Sequence, residues 1–258
     1  MADNILDQFR LDGKRALVTG GAKGLGFQMA RAFAQAGAEV GIVSRTASES
    51  QEAARVIALE TGSKTMWATA DVAKADQVQL MAEQVERELG PIDILVNNAG
   101  INVRGLVQEI TEDDWDAVVD ISLKGAYLCS RYFGPKMAER GWGRVISMGS
   151  ILSFVAMPGR AAYCSAKAGI LGLTRVLALE WATQGVTVNA ICPGPFATDI
   201  NKSILEDEEK YKAFLAKIPM GRWGDLPEIT GPAVFLASPA SSYMTGQSLT
   251  VDGGWTAW

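Results

Sequence analysis

Residues 15–26 read RALVTGGAKGLG: a short run suited to a strand, glycines at 20, 24 and 26, then a pattern that continues as a helix to about Gln35 and stops at Gly37. Glycine lets a backbone turn tightly and approach a ligand closely. Where such a turn joins a strand to a helix, its N–H groups and the positive end of the helix face one point, and a pyrophosphate can sit there. Glycines alone mark any turn; the strand before and the helix after make this one a dinucleotide loop. The stretch predicts the first β-α unit of a dinucleotide-binding sheet, with Gly20, Gly24, Leu25 and Gly26 against the cofactor.

Outward from this unit the same alternation repeats. AEVGIVS (38–44), KTMWATADV (64–72), IDILVNNAG (92–100), GRVISMGS (143–150), VTVNAICPG (186–194) and SLTVDGG (248–254) read as strands. Helical patterns lie between them, including a long one over 112–139 and another that holds YCSAK and runs to about Thr183. Strands alternating with helices of this length imply a parallel sheet covered on both faces. No linker or internal repeat interrupts the alternation, so the expectation is one α/β domain over 1–258, a Rossmann-type doubly wound parallel sheet. Residues 199–225 stand out as a charged helical insertion after a strand end. They read both as a solvated helix face and as a lid over a site.

Composition removes many functions. The chain has 258 residues, 48% of them hydrophobic and 21% charged, with a net charge of −5, which gives no reason to expect nucleic acid or a membrane surface as partner. The opening MADNILDQFR lacks an apolar signal core, and no stretch is expected to reach bilayer-spanning length. Three scattered cysteines (Cys129, Cys164, Cys192) fit reduced thiols in the cytoplasm. There is no histidine, which excludes a Ser-His-Asp triad, a Cys-His pair and a His-ligated zinc site, and no metal is expected.

The end of the second strand bears on cofactor choice. An acidic residue there would bind the adenosine ribose and repel a 2′-phosphate. This chain has Ser44-Arg45 instead, and Lys23 lies inside the glycine turn. Two cations and no carboxylate at that edge favour NADP(H), with NAD(H) as the alternative.

Acid–base chemistry without histidine needs another group. In YCSAK (163–167), Tyr163 and Lys167 are four apart and share a helix face. TGGAKGLG followed by YCSAK resembles the short-chain dehydrogenase/reductase family over nearly the whole chain. The resemblance implies that Asp71-Val72 hold the adenine, that Asn97-Asn98-Ala99-Gly100 closes the fourth strand beside the cofactor, and that Pro193, Gly194, Phe196 and Thr198 form the nicotinamide-side loop. It also implies that Ser150, thirteen residues before Tyr163, completes a catalytic group with Tyr163 and Lys167. Free tyrosine titrates near 10. A neighbouring ammonium and the nicotinamide charge are expected to favour phenolate at Tyr163. Ser150 is expected to hydrogen-bond the substrate oxygen, and Lys167 to bind the cofactor ribose as well.

One position departs from the family. Ser122, in DISLKG, stands where an asparagine usually interrupts the helix and holds a water linking the lysine to solvent. A hydroxyl holds such a water less rigidly.

The segment IPMGRWGDLPEITGPAVFLAS and the ending VDGGW resemble the gluconate 5-dehydrogenases and related sugar-acid dehydrogenases. Arg104 is placed where those enzymes carry a substrate-side arginine, and Arg160 is a second candidate for a substrate carboxylate. Three functions follow: an oxidoreductase of a hydroxy or keto sugar acid, a 3-oxoacyl or general carbonyl reductase, and a non-catalytic dinucleotide-binding protein. The resemblance also implies a homo-oligomer, a tetramer built partly on the two long helices.

Overall fold

The computed structural model describes residues 4–198 and 201–257. Among them, seven parallel strands form one sheet in the order β3-β2-β1-β4-β5-β6-β7. The strands are β1 (Arg15–Thr19), β2 (Glu39–Ser44), β3 (Thr65–Thr69), β4 (Ile94–Asn97), β5 (Gly143–Met148), β6 (Val186–Pro193) and β7 (Ser248–Val251). The α-helices are α1 (Gly24–Gln35), α2 (Ala47–Thr61), α3 (Ala75–Glu88), α4 (Glu112–Val119), α5 (Gly125–Glu139), α6 (Ala161–Trp181), α7 (Lys202–Leu205), α8 (Glu208–Leu215) and α9 (Thr230–Ala237).

Successive strand residues point to opposite faces, and here both faces are buried. In β1, Ala16 and Val18 join Met29 and Phe33 of α1 and Ile57 of α2. Leu17 between them joins Met81 and Val85 of α3 and Phe133 of α5. Helices α1, α2 and α9 therefore cover one face, and α3, α5 and α6 the other.

Chain order runs from β1 out to β3, returns to β4 beside β1, and then runs outward the other way. Such a reversal leaves a crevice at the strands' C-terminal ends, where ligands of these sheets bind. Side chains stitch it together. Thr19 Oγ1 donates to the Val96 carbonyl at 3.2 Å and accepts from the N–H groups of Asn98 and Ala99 at 3.1 and 3.2 Å. Asn98 Nδ2 donates to the carbonyls of Thr19 and Gly20 at 3.0 and 2.9 Å.

Two expectations change. The helix over 112–139 is α4 and α5 joined by a π turn over Asp120–Lys124, which places Ser122 at the break. Ile121 and Ser122 are weak helix formers, and a π turn absorbs one extra residue without ending the helix.

The reading that no stretch reaches membrane-spanning length is also corrected. Ala161–Gln184, which is α6 with a short extension, meets that test by length and composition. It owes its apolar character to the sheet, on which Ala166, Ile170, Ala178 and Trp181 are buried.

The predicted lid is two short helices, α7 and α8, followed by a loop; its first two residues, 199 and 200, lie outside the described residues. Its inner side is aromatic. Tyr211 and Phe214 stack on Trp223 with ring centroids 6.0 and 5.7 Å apart, and Phe214 leans on Trp255 at 5.4 Å. Its charges face outward and pair with one another, Lys210 with Asp207 and Lys212 with Glu208. The segment therefore has a solvated outer face and an inner face packed on Ile151 and Leu152 beside the site.

Candidate active site

Two adjoining cavities open at the crevice. The first is lined by Gly20, Lys23, Gly24, Leu25, Gly26, Ser44, Arg45, Glu49, Asp71, Val72, Asn98, Ala99 and Gly100. Gly20 and Gly24 have φ of +61° and +57°, the left-handed region that glycine favours. A Cβ on Gly24 would meet only Thr198 Cγ2 at 3.7 Å and so project into the groove. Helix α1 has no side-chain cap, which leaves its first N–H groups to a ligand. A backbone cradle of this kind fits a dinucleotide pyrophosphate.

The far edge of the groove differs from the sequence reading. Ser44 Oγ is tied into a turn, 2.7 Å from Ser50 Oγ, and Arg45 is exposed. Glu49, from the first turn of α2, lines the same groove with its Oε1 3.7 Å from Lys23 Nζ. The edge is therefore not free of carboxylates. The acidic residue comes from the next helix rather than the strand end, so Lys23 already has a counter-charge.

The second cavity is lined on its polar side by Asn98, Asn102, Ser150, Arg160, Tyr163, Lys167 and Asn201. Ile151, Leu152, Met157, Ile204 and Phe214 supply its hydrocarbon. Leu25, Asn98, Gly100 and Thr198 line both cavities, and Pro193, Gly194 and Phe196 line the second.

Ser150 follows β5 and caps a short turn, its Oγ accepting from Leu152 N–H at 3.1 Å. Ser153 ties this turn to α6: its Oγ accepts from Ser150 N–H at 3.2 Å and donates to the Lys167 carbonyl at 2.8 Å. The structure thus brings together all three residues of the expected catalytic group.

Burial pushes the Tyr163 phenol above its ordinary value, opposed by a hydrogen bond with Ser150 and, more weakly, by the charge of Arg160. Burial also lowers the Lys167 ammonium to about 8. Lys167 Nζ donates to the Met148 carbonyl at 2.5 Å and stands 5.6 Å from the centroid of the Tyr163 ring.

Ser122 is 2% exposed, and its Oγ has no hydrogen-bond partner. A Cβ on Gly100 would stand 3.4 Å from Ser122 Oγ and 3.6 Å from Lys167 Nζ, so the two groups border one spot. Arg160 lines the substrate cavity, where burial lowers its guanidinium and the charge of Arg104, beside the cavity, lowers it further. The main chain fixes this neighbourhood, with Gly105 bridged to Arg160. Sequence reasoning missed Asn102, because a loop asparagine two residues past NNAG carries no motif.

A nucleotide groove opening onto a serine–tyrosine–lysine site defines an NAD(P)-dependent oxidoreductase acting on CH–OH groups. Residues 20–256 match a family model described as enoyl-(acyl carrier protein) reductase. The chain belongs to the short-chain dehydrogenase/reductase family. It is 39% identical to a gluconate 5-dehydrogenase of Gluconobacter oxydans over 250 residues, 97% of each chain. It is 41% identical to a 2-dehydro-3-deoxy-D-gluconate 5-dehydrogenase of Escherichia coli over 255 residues, 98% of this chain and 99% of the other. A crystal structure of a gluconate 5-dehydrogenase from Burkholderia cenocepacia with NADP and tartrate matches with a TM-score of 0.95 and 38% identity, covering 99% of this chain and 100% of that one.

Proposed function

We propose that this chain interconverts a hydroxyl and a keto group of a sugar acid such as gluconate, with NADP(H) preferred to NAD(H). The observation that carries the reading is a cationic rim, Arg160 with Arg104 beside it, on the cavity that holds Ser150 and Tyr163. A guanidinium suits a carboxylate bidentately, and the sugar-acid relatives support that choice of anion.

When bound, the nicotinamide supplies the hydride acceptor or donor and, when oxidised, a positive charge. Gly20, Gly24, Leu25 and Gly26 would hold its pyrophosphate, Asp71 and Val72 its adenine, and Ser44, Arg45 and Lys23 its 2′-phosphate. Asn98, Ala99 and Gly100 would flank it, with Pro193, Gly194, Phe196 and Thr198 on the nicotinamide side. Ser150 hydrogen-bonds the substrate oxygen, and Tyr163 takes or returns that oxygen's proton at its Oη. Lys167 binds the cofactor ribose and, through a water at Ser122, passes protons toward solvent. Residues 201–225 cover the bound substrate and exclude water.

The outer side of α6 leaves Val176 and Leu179 54% and 82% exposed, which supports a homo-oligomer, a tetramer or dimer, seated on the long helices. Its three unpaired thiols suit the cytoplasm.

A second reading, a 3-oxoacyl or general carbonyl reductase, is favoured by the hydrocarbon walls of Ile151, Leu152, Met157 and Phe214. Nicotinamide absorbance separates the two in a screen of sugar acids, neutral ketones and acyl thioesters with both cofactors, using Tyr163→Phe as background. Faster turnover of a sugar acid than of any thioester is expected; the reverse order establishes the second reading.

A further inference from the structure

Asn102 lies between two anchors. Upstream, the backbone of Asn98 and Ala99 is fixed to Thr19 Oγ1. Downstream, Gly105 N–H donates to the Gly159 carbonyl at 3.3 Å, and Gly105 is bridged to Arg160. Its neighbours Ile101 and Val103 pack on Val118, Ala162 and Ala166. Asn102 itself forms part of the wall of the cavity that holds Ser150 and Tyr163.

Asn102 Oδ1 is fully enclosed and accepts no hydrogen bond. Among the described residues, no other side chain lining this cavity has an enclosed polar atom without a partner. The other amides of the wall are committed through their nitrogens, Asn98 to the Thr19 and Gly20 carbonyls and Asn201 to the Phe196 carbonyl. A buried acceptor without a donor is costly, and native structures leave few of them unexplained.

We infer that Asn102 is a specificity-determining residue whose side-chain oxygen, shielded in the ligand-free structure, turns into the cavity to accept a hydrogen bond from a substrate hydroxyl beside the reacting carbon. An acceptor selects a hydroxyl over a carbonyl or an ether. The hydrocarbon of Ile151, Leu152, Met157 and Phe214 offers a hydroxyl no partner, so few hydroxyl positions are compatible with the cavity. The substrate class is a ketone with a hydroxyl on the adjoining carbon, or the corresponding diol. This deepens the proposed function and rests on it for the location of the substrate.

The test uses matched straight-chain ketones, with and without a hydroxyl next to the carbonyl, in a carboxylate series and a neutral series. Wild type, Asn102→Leu and Asn102→Asp are compared by kcat/KM with NADPH and by ligand Kd from calorimetry on the NADP+-loaded protein. Wild type is expected to prefer the hydroxylated member by about ten- to a hundredfold. Asn102→Leu loses that preference through loss on the hydroxylated member. Asn102→Asp keeps it, because a carboxylate is still an acceptor. Cofactor Kd stays unchanged throughout, since Asn102 lies outside the nucleotide groove. If Asn102→Leu melts early, Asn102→Ala replaces it with the same expectation.

A wild-type preference below about threefold in both series overturns the inference, as do equal losses on both members. Should the carboxylate series be inert while the neutral series shows the pattern, the sugar-acid reading falls and the role of Asn102 stands. Turnover of sugar acids that is indifferent to Asn102 has the opposite meaning.

Discussion

Lys23, Arg45, Glu49 and Asp71 all line the nucleotide groove and together set its charge. Glu49 Oε1 stands 3.7 Å from Lys23 Nζ, so a 2′-phosphate must share or displace that partner, while among the described residues no carboxylate pairs with the exposed Arg45. Removing the carboxylate lowers repulsion toward a phosphate by an amount typical of a screened surface pair, about 0.2–1 kcal/mol. Glu49→Gln should therefore tighten NADP(H) a few-fold relative to NAD(H), and Arg45→Asp should shift the ratio further the other way. Dissociation constants for both cofactors check this, and an unchanged ratio in both variants removes these residues from cofactor choice.

Lys167 gives a pH signature. Its folded value, about 8, lies below the ordinary 10.5, because burial penalises the ammonium. Between those values the unfolded chain binds the extra proton, so this group's contribution to stability rises with pH across that window. Below pH 8 the folded protein carries the cost of a buried charge. In the cofactor-free protein, Lys167→Met should thus be more stable than wild type near pH 7, with the gap narrowing toward pH 9.5. Thermal melts at the two pH values test it; a gap that does not change with pH would falsify the assignment.

Among the elements, the π turn at Asp120–Lys124 carries the most information. It aims a buried serine at the space beside Gly100 and Lys167, and α5 then restarts at Gly125, where a Cβ would press on Val72 Cγ2 at 2.7 Å. An orphan hydroxyl adds little to stability, so Ser122→Ala should melt within about 2 °C of wild type, less than the shift from 1 kcal/mol. If the hydroxyl holds the relay water, oxidative turnover should fall more at low pH than at high pH, and Ser122→Asn should be tolerated. A superimposable pH–rate profile for Ser122→Ala shows that the position takes no part.

This element also marks a limit of sequence reading. The apolar pattern over 112–139 shows a helix, but one inserted residue barely disturbs a 3.6-residue period, so the break is invisible. The strands were legible for the opposite reason: strands buried on both faces read as unbroken apolar runs, as in Val186–Pro193. Glu49 was missed because it reaches the strand end from the following helix, and Asn102 because its meaning lies in a missing partner. Ser150, Tyr163 and Lys167 were legible because two of them share one helix face and the third ends the neighbouring strand.

Across the whole molecule, the two arginines tie the substrate cavity to the sheet edge. Arg160 stands at the start of α6, after β5, and Arg104 comes from the loop after β4, so the rim draws on two successive strand–helix connections of one half of the sheet. Arg160→Ala should raise KM for a sugar acid by about ten- to a hundredfold, the worth of a charge-assisted pair, with a smaller rise for Arg104→Ala. A neutral ketone of similar size should be nearly unaffected. Equal losses on charged and neutral substrates exclude a carboxylate role for the pair.

The aromatic stack under α8 gives the protein a built-in optical probe. Trp223 stacks with both Tyr211 and Phe214, and Trp255 touches Phe214, which also lines the substrate cavity. An indole's emission responds to the polarity and rigidity of its surroundings, so any rearrangement of the cover on substrate binding should change the colour of the light it emits. Substrate added to the cofactor-loaded enzyme should shift the emission maximum, and Trp223→Phe should remove most of that shift. A spectrum indifferent to substrate would mean that the cover stays still, and that selection is made by a rigid cavity.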